Sequence, residues 1–217
     1  GNLEDLGLVV IDEQHKFGVG QRAALIGRGT APDVLVMTAT PIPRTLTMTL
    51  YGDLDVSVLD EKPPGRGEVV TAVRVSAKQS DVTAFVKGKL AEGRQAYLVY
   101  PLVEESEGLK VESAVEAYAK WKKRLSGHEV GLIHGKLKPD EKERVMQDFR
   151  DGRIGVLVAT SVIEVGVDVP NASLMVVHHA DRFGMAQLHQ LRGRIGRGGN
   201  KGYGILLSDG KNPEGME

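Results

Sequence analysis

Short apolar runs rich in β-branched residues recur along the chain and alternate with stretches of helical pattern. Runs of this kind predict strands, and their spacing leaves room for crossover helices between most of the later ones. Parallel strands joined by helices are typical of an α/β protein, with a sheet flanked by helices. The predicted strands cover residues 8–11, 34–37, 69–75, 96–99, 130–133, 155–159, 174–177 and 203–207.

Two helices are predicted from the spacing of their apolar residues. The clearer helix covers residues 139–150, where Pro139 suits the first helical position and Asp140 and Glu141 favour the positive N-terminal end. The second helix covers residues 112–125. The side chains predicted to face the core are Val145, Met146 and Phe149 in the first helix, and Ala114, Val115, Tyr118, Trp121 and Leu125 in the second.

A change of composition divides the chain in two. The sequence DEKPPGRGE, which ends at Glu68, has two prolines, two glycines and no periodicity, and it predicts a linker over residues 61–68. Residues 1–60 contain two predicted strands, too few for an independent sheet, whereas residues 69–217 contain six and can close a domain alone. We therefore expect a partial first domain, a linker and a second domain.

Composition describes an ordinary globular protein and excludes several kinds of site. Of the 217 residues, 41% are hydrophobic and 26% are charged, and the net charge of -1 gives no bulk attraction for nucleic acid. The absence of cysteine excludes disulfides, zinc-thiolate sites and cysteine nucleophiles. No apolar run approaches the roughly 20 residues that span a bilayer. The expected location is the cytoplasm.

Candidate chemistry appears first in LVVIDEQHKFG, where a predicted strand ends in Asp12 and Glu13. A carboxylate that follows a buried strand commonly holds the magnesium ion of a bound nucleotide, but such a site also needs a glycine-rich loop with a lysine to bind the phosphates. No such loop occurs in the 217 residues. Taken alone, an acidic pair at this position is more often a helix cap or a solvated turn.

Two further segments have the composition of ligand-binding loops that follow strands in open α/β sheets. In ATSVIEVGVDVPNA, residues 159–172, Thr160 follows a strand, and Gly166 and Asp168 shape an irregular turn. In QLHQLRGRIGRGG, residues 187–199, three arginines stand among four glycines with almost no acid nearby. Guanidinium groups are planar cations with several donors, which suits phosphate oxygens and the charge that develops during phosphoryl transfer.

Four segments together resemble the motifs of helicase superfamily 2. VVIDEQHKFG, VLVMTATPIPRTL, VATSVIEVGVDVPNA and QLHQLRGRIGRG resemble motifs II, III, V and VI, in that order and with those separations. The segments YGDLDVSVLDEKPPGR and HHADRFGMAQLHQLRGRIGRG are more similar to the bacterial DExH translocases of branched DNA than to the related transcription-repair coupling translocases, which remain the alternative. The resemblance covers essentially the whole chain.

The resemblance implies a fold, a reaction and a set of partners. It implies two RecA-like domains that bind ATP and Mg between them, in a nucleoid-associated bacterial motor. Such motors unwind forks and Holliday junctions and regress stalled replication forks in recombination and repair. It also implies that residues 1–60 are the end of the first motor domain and residues 69–217 most of the second. The phosphate-binding half and the wedge domain would then lie upstream, and this fragment alone is expected to hydrolyse no ATP.

Site roles follow from the resemblance position by position. It assigns Asp12 to the magnesium ion, Glu13 to the attacking water, and Arg194 and Arg197 to the γ-phosphate, with Gln190 completing the QxxGRxGR pattern at the nucleotide. The remaining candidates are Gly166 and Asp168 for the nucleotide sugar, Gln14, His15, Thr38 and Thr40 for coupling nucleotide state to DNA, and Thr160 for a DNA phosphate.

Two alternatives stay open at the level of sequence. His134, directly after the strand predicted over 130–133, is a candidate for DNA contact or an ordinary packed or surface imidazole. The whole chain is alternatively a non-enzymatic nucleic-acid-binding α/β module whose arginines contact the phosphate backbone. Asp12 and Glu13 argue against that module, because carboxylates repel DNA phosphates.

Overall fold

The structure is a computed structural model, and it divides the chain into two compact units, Gly1–Leu59 and Asp60–Glu217. The backbone alone is described at residue 12 and at residues 107–113. Within the described ranges, no helix has both the length and the apolar character needed to cross a membrane. The residues described are 7–12, 32–37, 55–61, 66–75, 79–101, 107–160 and 169–208.

The described part of the first unit is a pair of parallel strands. Strand β1 covers Leu8–Asp12 and β2 covers Asp33–Met37, with Asp12 opposite Met37 in the register. Side chains along β1 alternate between exposed and buried, and Val9 and Ile11 form the buried face. Alternation of this kind is expected for a strand that packs on one face. Both predicted strands of this unit are confirmed.

The described part of the second unit is built on a six-stranded parallel sheet with the order β3-β8-β7-β4-β6-β5. The central strands β4, β6 and β7 are buried along their whole length. This burial explains why their sequences are largely apolar runs instead of alternating ones. All six predicted strands are confirmed. Their bounds are Val69–Val75 (β3), Gln95–Tyr100 (β4), Val130–Ile133 (β5), Val156–Thr160 (β6), Ala172–Val177 (β7) and Gly202–Ser208 (β8).

Helices cover both faces of this sheet. Helices α1 (Gln79–Ala91) and α2 (Glu107–Arg124) share one hydrophobic cluster with the sheet, while α3 (Pro139–Arg150) and α4 (Met185–Arg192) share a second cluster. The chain crosses the sheet in one direction through α1 and α2 and returns through α3 and α4. Right-handed crossovers that move in opposite directions across a sheet place their helices on opposite faces. This handedness accounts for the division.

The predicted helix over 139–150 is confirmed at both ends, with Pro139 in its first turn and Phe149 fully buried. In α2 the prediction that Val115 faces the core is wrong, because its side chain is 44% exposed and Ala117 is buried instead. A helical stripe through Ala114 and Trp121 passes through position 117, and a small alanine gives little signal there.

The predicted loop over residues 187–199 is wrong at its start. Residues 187–192 belong to α4, and its Leu188 and Leu191 pack against the second hydrophobic cluster. Two leucines three positions apart are the pattern of a helical stripe, but the glycine-rich sequence that follows obscured it. The segment without helix or strand is therefore residues 193–201, and we call it the arginine loop.

Candidate functional site

Those candidate site residues of the second unit that the structure describes lie at two opposite edges of the sheet. Because the six strands are parallel, all of them begin at one edge, the amino edge, and end at the other, the carboxyl edge. Thr160 ends β6 and His134 follows β5, so both lie at the carboxyl edge. The arginine loop leads into the first residue of β8 and therefore lies at the amino edge.

This position corrects an expectation drawn from the sequence. The segment around the arginines does not follow a strand, since α4 precedes it and β8 comes after it. A crossover helix returns the chain from the carboxyl edge to the amino edge before the next parallel strand, and the arginine loop completes that return. Ligands of open α/β sheets usually bind at the carboxyl ends of the strands, and this tendency consequently gives no support for a ligand at Arg194 and Arg197.

Thr160 is deeply buried at the carboxyl edge. The residue is 1% exposed, and its Oγ1 has no hydrogen-bond partner among the described residues. A buried hydroxyl without a partner costs free energy relative to one that is hydrogen-bonded. The position therefore suits a residue that completes its hydrogen bonding with a group from outside this part of the chain.

His134 occupies the same edge. It is half-buried, and its Nδ1 is buried with no hydrogen-bond partner in the described part of the chain. Burial lowers the pKa of His134, and the nearby Lys142 and Lys136 ammonium groups lower it further. A neutral imidazole has one donor and one acceptor nitrogen, so His134 can offer either kind of hydrogen bond to a ligand.

A buried aromatic cluster, which the sequence did not reveal, packs next to Thr160 at the carboxyl edge. It consists of Tyr100, Trp121 and His178. Tyr100 ends β4 directly opposite Thr160 in the register. Its ring stacks on His178 with centroids 4.3 Å apart, and its hydroxyl accepts a hydrogen bond of 2.8 Å from Trp121 Nε1. Desolvation raises the pKa of Tyr100 to about 12. The three side chains come from separate elements, so no local pattern predicts that they meet.

At the amino edge, the arginine loop is shaped by glycines and by the end of α4. Gly196, Gly198 and Gly199 have φ values of 74°, 70° and 76°, which side chains with a Cβ rarely adopt. Arg197 stands between two of these glycines, and its Nε donates a hydrogen bond of 3.3 Å to the carbonyl oxygen of Gly193. That carbonyl belongs to the residue that caps the C-terminus of α4. A helix C-terminus carries partial negative charge and so attracts a guanidinium.

The structure brings the three motif VI candidates together in one short stretch. Gln190 lies in the last turn of α4, and Arg194 and Arg197 lie in the arginine loop. All three residues are half-buried and take part in interactions. Asp12 ends β1 in the first unit. The other predicted site residues lie outside the described residues: Glu13, Gln14, His15, Thr38, Thr40, Gly166 and Asp168.

Comparison with known proteins identifies close relatives along the whole chain. The family described as Helicase conserved C-terminal domain matches residues 77–199. The chain is 52% identical over 217 residues to the ATP-dependent DNA helicase RecG of Thermotoga maritima, covering 100% of this chain and 28% of that protein. It is 51% identical to RecG of Bacillus subtilis, covering 98% of this chain and 31% of that protein.

A solved structure has the same fold. The structure of RecG bound to a three-way DNA junction matches 98% of this chain and 27% of its own, with a TM-score of 0.76 and 47% sequence identity. The chain thus spans less than a third of the length of each of these relatives. The RecA-like fold of the second unit, predicted from the helicase motifs, is confirmed by this match and by the family match.

Proposed function

Because the chain belongs to the helicase family described as Helicase conserved C-terminal domain, we propose that it is the second motor domain, with part of the first, of an ATP-dependent DNA translocase. The similarity to RecG proteins supports branched DNA, such as forks and Holliday junctions, as its substrate. A protein that acts in this way on replicating chromosomes would work in the bacterial cytoplasm, at the nucleoid. We propose regression of stalled forks in recombination and repair as its role.

The observation that carries the proposal is the separation of two groups of candidate residues across one rigid sheet. The arginine loop lies at the amino edge, whereas Thr160 and His134 lie at the carboxyl edge. Strands of five or six residues at about 3.3 Å per residue separate these edges by roughly 16–20 Å. A domain with a nucleotide at one edge and DNA at the other can convert nucleotide-dependent movement into displacement of DNA.

The chemistry of the arginine loop suits phosphoryl transfer. Charge spreads over the phosphoryl oxygens in the transition state, and a guanidinium stabilises that charge through several directed donors. Arg194 and Arg197 are therefore proposed to contact the γ-phosphate, with Gln190 beside them. Both arginines lie on a glycine-rich loop whose backbone a side chain with a Cβ would disturb. A defined loop conformation keeps the guanidinium groups near a fixed position before the nucleotide binds.

The remaining roles rest on the motifs alone. Asp12 is proposed to hold magnesium, and a single aspartate fits this ion, which usually keeps waters and takes one or two carboxylates plus phosphate oxygens. Bound magnesium would neutralise charge on the β- and γ-phosphates. Glu13 would orient the attacking water. We propose that Gly166 and Asp168 bind the nucleotide sugar, and that Gln14, His15, Thr38 and Thr40 couple the nucleotide to DNA.

At the carboxyl edge, DNA backbone is the proposed ligand. Thr160 Oγ1 would gain from a phosphate oxygen the hydrogen bond that it lacks among the described residues. His134, whose pKa is lowered by burial and by the nearby lysines, would contribute a hydrogen bond. Recognition of this kind is independent of sequence, as expected for a protein that acts on the shape of a DNA junction.

Replacement of Arg197 by alanine in the intact protein tests the proposal. Because the guanidinium acts mainly on the transition state, Arg197→Ala should lower kcat for ATP at saturating DNA by about 10³-fold or more. ATP affinity should change much less. The measurements are steady-state phosphate release with forked DNA and, in parallel, DNA affinity by fluorescence anisotropy across a salt series.

The same experiment distinguishes the motor from a nucleic-acid-binding module. If Arg197 contacts DNA backbone instead of ATP, the variant should bind DNA more weakly and its salt dependence should flatten by about one phosphate contact. A normal kcat together with that loss of DNA affinity would refute the proposed role of the arginine loop.

A further inference from the structure

The arginine loop is held in place by a segment that precedes the sheet. This segment consists of Arg66, Gly67 and Glu68, and we call it the strap. The Gly67 N–H donates a hydrogen bond of 2.8 Å to the Gly196 carbonyl, and the Gly202 N–H donates one of 2.8 Å to the Glu68 carbonyl. The strap therefore bonds to the middle of the arginine loop and to Gly202, the first residue of β8, which directly follows the loop.

The fit between strap and loop leaves no room for a side chain at Gly67 or Gly196. A Cβ on Gly67 would overlap the Asn200 carbonyl, and a Cβ on Gly196 would lie 2.6 Å from Val69 Cγ2 and 3.2 Å from the Gly67 carbonyl oxygen. Glycine at both positions thus permits the direct approach of two backbones. At the end of the loop, the Lys201 Nζ and a Glu68 carboxylate oxygen form an ion pair of 3.0 Å.

Arg66 and Arg197 share one acceptor. Arg66 Nη2 donates a hydrogen bond of 2.7 Å to the Gly193 carbonyl oxygen, and Arg197 Nε donates one of 3.3 Å to the same oxygen. Two guanidinium groups repel each other at such a distance, but the partial negative charge at the C-terminus of α4 offsets that repulsion. Arg66 therefore fixes the position of the acceptor on which Arg197 rests.

We propose that Arg66 is a positioning residue for Arg197, acting through the Gly193 carbonyl. The proposal rests on the function proposed above for the arginine loop. Loss of the Arg66 contact would release the end of α4 and let the Arg197 guanidinium move relative to the phosphoryl oxygens. A displacement of about 1 Å is enough to lower a rate by up to about 10²-fold.

A double-variant cycle in the intact protein tests this proposal. Arg66→Ala should lower kcat for ATP at saturating DNA by about 10-fold or more and change KM for ATP by less than about twofold, since ground-state binding does not depend on a transition-state contact. Combined with Arg197→Ala, it should cause no further loss, because its effect passes through Arg197. The matched control is Arg74→Ala. Among the described residues, the Arg74 guanidinium donates a hydrogen bond only to the carbonyl of its neighbour Val73.

A second readout is independent of catalysis. In the 217-residue chain, the NMR resonance of the Arg197 Nε–H group should shift in Arg66→Ala and stay in place in Arg74→Ala. If Arg66→Ala keeps the wild-type kcat, or if the losses from Arg66 and Arg197 multiply in the double variant, the positioning role is refuted. If Arg197→Ala itself keeps the wild-type kcat, the proposed function fails. The Arg197 resonance then decides alone whether Arg66 positions that side chain.

Discussion

Replacement of Tyr100 by phenylalanine should destabilise the protein at neutral pH, and this loss of stability should become smaller at alkaline pH. The hydroxyl is the acceptor for Trp121 Nε1 at 2.8 Å, and both residues are buried. Tyr100→Phe leaves that buried N–H without its acceptor, which costs about 1–3 kcal/mol. We therefore expect the variant to be less stable than the wild type by about this amount at pH 8.

The raised pKa of Tyr100 reduces this difference in stability as pH increases. In the folded protein the pKa is about 12, because burial disfavours the phenolate, whereas the unfolded chain ionises near 10. Between these values the folded state holds a proton that the unfolded state has lost, so wild-type stability falls with rising pH. The loss is about 1.4 kcal/mol per pH unit, or roughly 3 kcal/mol in all, and phenylalanine does not suffer it.

Urea denaturation at pH 8, 9, 10 and 11 measures both effects, with Trp121, the one tryptophan of the chain, as the fluorescent probe. The difference between wild type and Tyr100→Phe should stay constant up to about pH 10 and shrink by about 1.4 kcal/mol at pH 11. Tyr118→Phe controls for loss of a hydroxyl that is not the Trp121 acceptor, and it should cost less at pH 8. A difference that stays the same from pH 8 to pH 11 would refute the reasoning.

Three further variants test packing in the second unit by urea denaturation. Gly67→Ala should destabilise by about 1–3 kcal/mol, because its Cβ would overlap a carbonyl oxygen of the arginine loop. Gly88→Ala, in α1 with open space around it, should instead stabilise by about 0.5–1 kcal/mol, and equal effects of the two would contradict this argument. Gln95→Met should cost about 2 kcal/mol, since the buried amide nitrogen of Gln95 donates to the carbonyls of Phe149 and Ile154. An unchanged stability for Gln95→Met would show that water replaces these bonds.

The sequence predicts the strands well because burial acts on them directly. All six residues of β4 are buried, and a strand buried on both faces is apolar except where a buried polar side chain such as that of Gln95 finds hydrogen-bond partners. Helices were harder to predict where packing uses few or small residues. Helix α4 has eight residues with two packed leucines, and in α2 the buried Ala117 gives almost no signal. Tertiary packing decides which residues of these helices are buried, and a short window of sequence does not contain that information.

The candidate site illustrates what a linear pattern leaves out. The residue types of the arginine loop indicate phosphate chemistry, but its position at the amino edge depends on α4, which was predicted as part of the loop. Recognition of that helix would have placed the loop correctly, since a helix between parallel strands returns the chain to the amino edge. The contact of Arg66 with Gly193 joins residues 127 positions apart, and neither position has a local pattern that indicates the other.

The strand order also determines when the arginine loop can take its final form during synthesis. Strand β3 pairs only with β8 among the described strands, and the strap binds a loop that lies just before β8. Gly193, whose carbonyl accepts the hydrogen bond from Arg66, is synthesised 127 residues after it. At about 5–20 residues per second, this interval is roughly 6–25 s on the ribosome. For the first part of that interval, until β6 and β7 are synthesised, β4 has neither of its neighbours in the sheet. The nascent second unit therefore exposes a largely apolar strand for seconds, and the arginine loop becomes ordered only after the central strands have been made.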